Sequence, residues 1–196
     1  MTQLSQQRIV DAAVQILQSY GLQDLSIRKV AGLLSVQPGA LYWHFPHKQA
    51  LLGAVAEHIL NTSASESSGA ATAHATEGQW SDRCLAVLND LRYKLLSYRD
   101  GAELVSAAFS AESCTIPHIE TLASLLEEQN LATVISSQAA AYALIVFALG
   151  ACVDEQTRSQ LAELSDPTKP TAKYVPNDDV FTAGARVFLR GIAAPN

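Results

Sequence analysis

The sequence predicts an all-helical protein, a small three-helix head followed by a larger helical body. Apolar residues recur at intervals of three and four along most of the 196 residues, the spacing of a helix face. No segment sustains the period-two alternation of a strand. Near the start, two short amphipathic runs, Ile27 to Leu34 and Pro38 to Trp43, are separated only by Ser35-Val36, the arrangement of a helix-turn-helix.

The first helix is expected over Gln6 to Tyr20. Ile9, Ala12, Ala13, Ile16, Leu17 and Tyr20 share one face, Ser5 can cap the start and Gly21 can close the end. Ser26 caps the second, Ile27 to Leu34, whose inward residues are Ile27, Val30, Ala31 and Leu34. Pro38 suits the first turn of the third, where its missing N–H is no loss. That helix is about two turns long and has one clearly inward residue, Leu41. Its other groups, Gln37, Gly39, Ala40, Tyr42, Trp43 and His44, are small, polar or aromatic. Pro46 is expected to start a longer helix through Leu51, Leu52, Val55, Ala56, Ile59 and Leu60. The division expected is residues 1–48 as head and 49–196 as body.

In the body, Thr62 to Gly78 is small and polar and reads as a frayed helix end and loop. Helices are expected over Gln79 to Arg99, with Trp80, Cys84, Leu88, Leu91 and Leu95 on one stripe, then Ala102 to Phe109 and Ile116 to Glu128. Gln129-Asn130 turns the chain. Ser136 or Ser137 caps a long apolar helix to about Gln156. Ser165 to Asp179, with three prolines, is a surface loop. A last helix is expected over Val180 to Ile192.

Composition bounds the function. The apolar fraction is 48%, enough for a sizeable core. The opening residues lack the basic-then-apolar order of a secretory signal. The apolar run Ala139 to Val153 is short of the roughly 20 residues of a membrane span, and is expected to be a helix buried all round. Cys84, Cys114 and Cys152 have no paired spacing, which suits reduced thiols in the cytoplasm and no metal site. The net charge is −6 overall, but +2 over residues 1–48 and −8 over the rest. A slightly basic head on an acidic body orients an encounter with phosphates. Gln37 can pair with adenine, and Pro38, Gly39 and Ala40 suit close approach to a thymine methyl. Tyr42 and His44 are candidate phosphate partners. Lys48 at a helix N-terminus is an odd place for a cation, which a bound phosphate resolves. Each has a plainer alternative: Gln37 as a cap substitute, Trp43 as core beside Leu41 and Phe45.

The string Leu41-Tyr42-Trp43-His44-Phe45 with Lys48 and Leu51-Leu52 resembles the DNA-binding head of the tetracycline repressor (TetR) family. So do the Ile9–Ala13–Leu17 helix, Gly21-Leu22 and Ser26-Ile27-Arg28-Lys29-Val30-Ala31. The likeness continues in Tyr98-Arg99-Asp100-Gly101-Ala102 and in Leu149-Gly150-Ala151 with Asp154. It departs at Ser35, where such turns often place glycine. The resemblance implies that Ser26, Arg28, Gln37, Pro38, Gly39, Ala40, Tyr42, Trp43, His44 and Lys48 face DNA, Arg28 by gripping guanine. The alternative for Arg28 is a solvated surface residue.

Family members that bind tetracycline with magnesium use a polar pocket. Threaded by these landmarks, its places fall near Ala64, Val87, Leu91, Val105, Ala108 and Leu122, and only Asp154 keeps a carboxylate. One carboxylate without an imidazole partner is a poor metal site, so no metal or cofactor is expected. Val87, Leu91, Val105, Phe109, Leu122, Tyr142 and Ile145 would instead suit an apolar ligand, unless they simply fill the core. Small residues such as Ala139, Ala143, Gly150 and Gly184 allow the last helices to pair across a two-fold axis, as the family resemblance implies. The expectation is a cytoplasmic, homodimeric, ligand-responsive regulator, most simply a repressor, acting on a double-stranded DNA operator without a membrane. No nucleophile-base-acid arrangement points to an enzyme. The rival is a ligand-binding or interaction protein of the same fold that does not bind an operator.

Overall fold

The computed structural model describes residues 4–62, 80–129, 135–164 and 178–193. The helices are α1 (Gln6–Tyr20), α2 (Ile27–Leu33), α3 (Pro38–Tyr42), α4 (Lys48–Asn61), α5 (Trp80–Leu96), α6 (Gly101–Ser110), α7 (His118–Glu128), α8 (Ser137–Leu164) and α9 (Asp178–Ala193). A 3₁₀ turn, which the sequence did not announce, spans Leu22–Asp24. The fold is all-α, with no strand among the described residues. Of the expected loops, residues 63–78 and 165–177 lie outside the described residues, as does Asn130, while Asp178 and Asp179, expected to end the second loop, already belong to α9. By contacts the chain forms two units, Met1–Thr62 with Lys94–Ile116, and Ser63–Tyr93 with Pro117–Asn196.

In the first unit, α1 buries Ile9, Ala13 and Leu17 completely. The Ser5 hydroxyl accepts from the Arg8 amide at 3.3 Å, as the sequence predicts, and the Gly21 amide closes the helix on the Leu17 carbonyl at 2.8 Å. The turn Ser97–Asp100 docks onto this end. The Gln18 side-chain amide donates to the Ser97 carbonyl (3.3 Å) and accepts from the Arg99 amide (3.0 Å). Asp100, held at φ 53°, accepts from the Leu22 amide at 2.8 Å. A residue 78 positions away therefore satisfies the first N–H of the 3₁₀ turn. A side chain at Gly21 (φ 84°) would place its Cβ 2.6 Å from that carboxylate oxygen, so glycine is needed there twice over.

Helix α4 starts later than Pro46 suggested. His47 is extended, and its Nδ1 accepts from the Ala50 amide at 3.1 Å, so the cap and not the proline sets the boundary. Leu51, Val55, Ala56 and Ile59 are fully buried. Helix α6 ends in a Schellman turn. The Ser113 amide returns to the Ala108 carbonyl and the Glu112 amide to that of Phe109, with Glu112 left-handed at φ 53°. This turn lies against Gly53 of α4, and Gln49 Nε2 donates to Ser113 Oγ at 3.2 Å.

In the second unit, Cys84, Leu88 and Leu91 of the α5 stripe are fully buried, while Trp80 is half-buried. Helix α7 begins at His118, later than Ile116, and packs on α8, which packs on α9. Ser136 caps α8 by accepting from the Ala139 amide at 3.2 Å. Helix α8 runs beyond Gln156 to Leu164. Ser137–Glu163 is thus long and apolar enough to cross a membrane by length and composition alone, unlike the shorter run read from the sequence. The helix is also not buried all round. Ala141, Leu144, Ile145, Ala148 and Cys152 form a buried arc, whereas Tyr142 and Val146 are about half exposed. Beyond that arc, Glu155 pairs with Arg92 of α5 at 2.6 Å.

Burial pushes all three thiols up, Cys84 and Cys114 to about 11 and Cys152 to about 12. At pH 8, on the order of one thiol in a thousand or fewer is then thiolate. Ellman's reagent at pH 8 is predicted to leave native protein almost unlabelled and to titrate three thiols after denaturation; rapid native labelling would contradict the burial. A Cβ at Gly53 would lie 2.1 Å from the Ser113 carbonyl oxygen. Gly53→Ala is therefore predicted to destabilise by about 1–3 kcal/mol, measured by urea unfolding.

Candidate nucleic-acid interface

Helix α3 has five residues, too few to persist alone. Three things hold it. Leu41 is fully buried. The amides of His44 and Phe45 both return to the Leu41 carbonyl, at 3.0 and 2.8 Å. The third is the turn before it. The Ser26 hydroxyl caps α2 by accepting from the Lys29 amide at 3.3 Å. The far end of α2 closes in a second Schellman turn, Val36 amide to Ala31 carbonyl and Ser35 amide to Gly32 carbonyl. Ser35 occupies the left-handed position at φ 54°, where glycine would be unstrained. The departure seen in the sequence leaves the turn geometry intact and stores strain in it.

This scaffold turns the remaining α3 groups outward. Trp43 is 92% exposed and Tyr42 51%, so Trp43 is not core. Gln37, Gly39, Arg28 and Lys48 are exposed, and Ser26, Pro38, Ala40 and His44 half-buried. Gln37 precedes α3 with no side-chain capping bond, leaving its amide uncommitted to the helix start. A Cβ at Gly39 would meet nothing within 4 Å, so that face is open. The His44 carbonyl accepts a long bond from Gln6 Nε2 at 3.5 Å. Lys48 is the first residue of α4, where the helix dipole favours an anion. The nearby Lys29 is engaged otherwise. Its ammonium pairs with Asp24 and lies 5.4 Å from the Tyr20 ring centroid. The sequence reading did not anticipate these contacts, although Asp24 lies within one turn's reach of Lys29.

The residues expected to bind ligand divide between the two units. Val105 and Ala108 are fully buried and Phe109 half-buried in the first. Leu91, Leu122 and Ile145 are fully buried and Val87 half-buried in the second. Tyr142 does not join them: it is 52% exposed, because it lies just past the edge of the buried arc of α8. Ala64 lies outside the described residues. Asp154 is exposed and pairs with Arg158 one turn along, at 2.7 Å. A groove of about 380 Å³ opens along α1 and α4, walled by Gln6, Val10, Phe45, Glu57 and His58 among others, and holds none of the expected ligand residues.

A capped helix, a closed turn and a short second helix with an outward polar-aromatic face define a helix-turn-helix protein. Comparison with known proteins narrows this. Residues 9–55 match the family model for bacterial regulatory proteins, tetR family. Similarity is 38% identity over 104 residues to the tetracycline repressor protein class A from transposon 1721 of Escherichia coli. That match takes in 53% of this chain but only 46% of the repressor, so the chain spans about half the length of that relative. Among solved structures, Mycobacterium smegmatis BioQ is similar at 36% identity and a TM-score of 0.79, over 97% of this chain and 98% of that one. BioQ bound to its double-stranded DNA operator is similar at 36% identity and a TM-score of 0.76, over 98% and 100%. The chain belongs to the tetR family of bacterial regulatory proteins.

Ser35→Gly is predicted to raise stability by up to about 1 kcal/mol, because relief of the left-handed strain exceeds the glycine entropy term. Thermal unfolding measures it; a fall in stability would mean that the serine side chain holds the turn.

Proposed function

We propose that this protein is a cytoplasmic transcriptional repressor that binds a palindromic operator as a homodimer and is released by a small, largely apolar effector. The observation that carries the DNA-reading role is the outward face of α3. A tryptophan 92% exposed beside a half-exposed tyrosine is an expensive surface to leave in water, and it lies on the helix that a helix-turn-helix inserts in the major groove. The operator complex of BioQ supports the same reading. Residues 1–48 then act as the DNA-binding domain and 49–196 as the ligand-binding and dimerisation domain.

In this reading Arg28 and Gln37 contact base edges, with Gly39 and Ala40 allowing close approach. Tyr42, Trp43, His44 and Lys48 contact the backbone, setting register and affinity. Lys48 and the free amides at the start of α4 together receive one phosphate. Two heads engage successive major grooves, about 34–36 Å apart, so a ligand-driven shift of a few ångströms breaks register. Leu91, Leu122, Ile145 and the half-buried Val87 supply apolar surface for the effector. Dimerisation uses α8 and α9, whose outer sides expose Tyr142, Val146, Val187 and Phe188. This role requires no metal, cofactor or catalytic residue.

A gel shift with the DNA upstream of the protein's own gene tests this. A retarded band is expected at low salt, with log affinity falling linearly in log salt by about 0.9 per neutralised phosphate. No band from intact dimer at low salt would overturn the reading and favour an interaction role. Tyr42→Ala and Trp43→Ala are predicted to change stability by less than about 0.5 kcal/mol while reducing operator affinity at least about tenfold. Arg28→Ala is predicted to lose about 1–3 kcal/mol and relax preference at one base position.

A further inference from the structure

The outer face of α9 is placed by a chain of contacts that begins on α5. Arg92 of α5 forks onto Glu155 of α8, with Nε to Oε2 at 3.0 Å and Nη2 to Oε1 at 2.6 Å. The two side chains are only 16% and 22% exposed. The guanidinium carbon also lies 5.4 Å from the centroid of the Phe181 ring on α9. Phe181 stacks on Phe147 of α8 at 5.7 Å, and Phe147 packs against Phe188 at 5.0 Å. Phe147 presses on the α9 backbone itself, since a Cβ at Gly184 would come within 2.7 Å of its ring. Phe188 keeps 42% of its surface exposed beside Val187, which is 67% exposed.

We propose that Arg92 is the positioning residue that sets where α9 presents Val187 and Phe188 to a second copy of this chain. The inference rests on the proposed α8–α9 dimer face. A planar guanidinium can grip a carboxylate with two parallel bonds while its face rests on an aromatic ring; a lysine ammonium cannot do both. An ion pair does join α5 to α9, Arg186 with Asp82 at 3.2 Å, but it is about half exposed on both sides and is screened by water and salt. Arg92 therefore bears on α9 through the guanidinium face resting on Phe181, and the shielded fork to Glu155 fixes that face in place. Loss of the fork would leave Glu155 partly buried without it and release Phe181, moving the aromatic chain that carries Phe188.

Sedimentation equilibrium of the full chain tests this with Arg92→Lys, Arg92→Ala and Val187→Asp. Arg92→Lys keeps the charge and is expected to weaken the dimer at least about tenfold while far-UV helicity is retained; Arg92→Ala is expected to weaken it further. A dimer within twofold of wild type for folded Arg92→Lys, whether or not its melting temperature falls, overturns the proposal and leaves Arg92 a residue of the fold alone. If Arg92→Ala does not fold, Arg92→Lys decides. Val187→Asp separates the two readings. If it leaves a wild-type dimer, the α8–α9 face is wrong and this inference falls with it. If it dissociates the dimer while Arg92→Lys does not, only the role of Arg92 falls.

Discussion

The candidate DNA-reading surface depends on the burial of one side chain, Leu41. Helix α3 is shorter than any helix that would form by itself, and Leu41 is its one fully buried residue. The amides that follow fold back on the Leu41 carbonyl, and the turn before it is closed by α2. Everything the helix offers outward, from Gly39 to Trp43, inherits its position from that anchor. A helix that is nearly all surface is free to carry unusual residues, because its fold is enforced from beneath.

The same logic of borrowed partners holds the rest of the first unit. The Leu22 amide is capped by Asp100, and Gln18 bridges two backbone groups of the Ser97–Asp100 turn. Glu112 and Ser35 both sit in left-handed positions without being glycine. Each local conformation is unfavourable alone and is retained because two hydrogen bonds of a Schellman turn outweigh it. In the second unit the corresponding role falls to the shielded Arg92–Glu155 fork and to the buried His118 ring paired with Asp90 at 2.8 Å, since the exposed pairs Arg83–Glu128 and Arg186–Asp82 contribute little in high dielectric.

Much of this was legible in the residues because it is local. Period, caps and breakers placed α1 to α3, with Ser5, Ser26 and Ser136 each accepting the amide expected of a cap. The string from Leu41 to Phe45 marked the candidate interface through its resemblance to the family's DNA-binding head. What was not legible comes from groups distant in sequence or from competition between neighbours. Pro46 and His47 both signal a helix start, and only the His47 bond to Ala50 resolves them. Tyr142 reads as a pocket-lining residue by type, yet it falls outside the buried arc by a fraction of a helical turn.

The sequence by itself determined the class: an all-helical chain with a helix-turn-helix head, because helix periodicity and capping act over three or four residues and need no partner. Tertiary structure decided which side of each helix faces water. It turned Trp43 outward, withdrew Lys29 onto Asp24 and Tyr20, and gave α8 one buried arc instead of a wholly buried surface. Exposure is a property of what packs against a helix, and that is settled only when segments far apart in the chain meet.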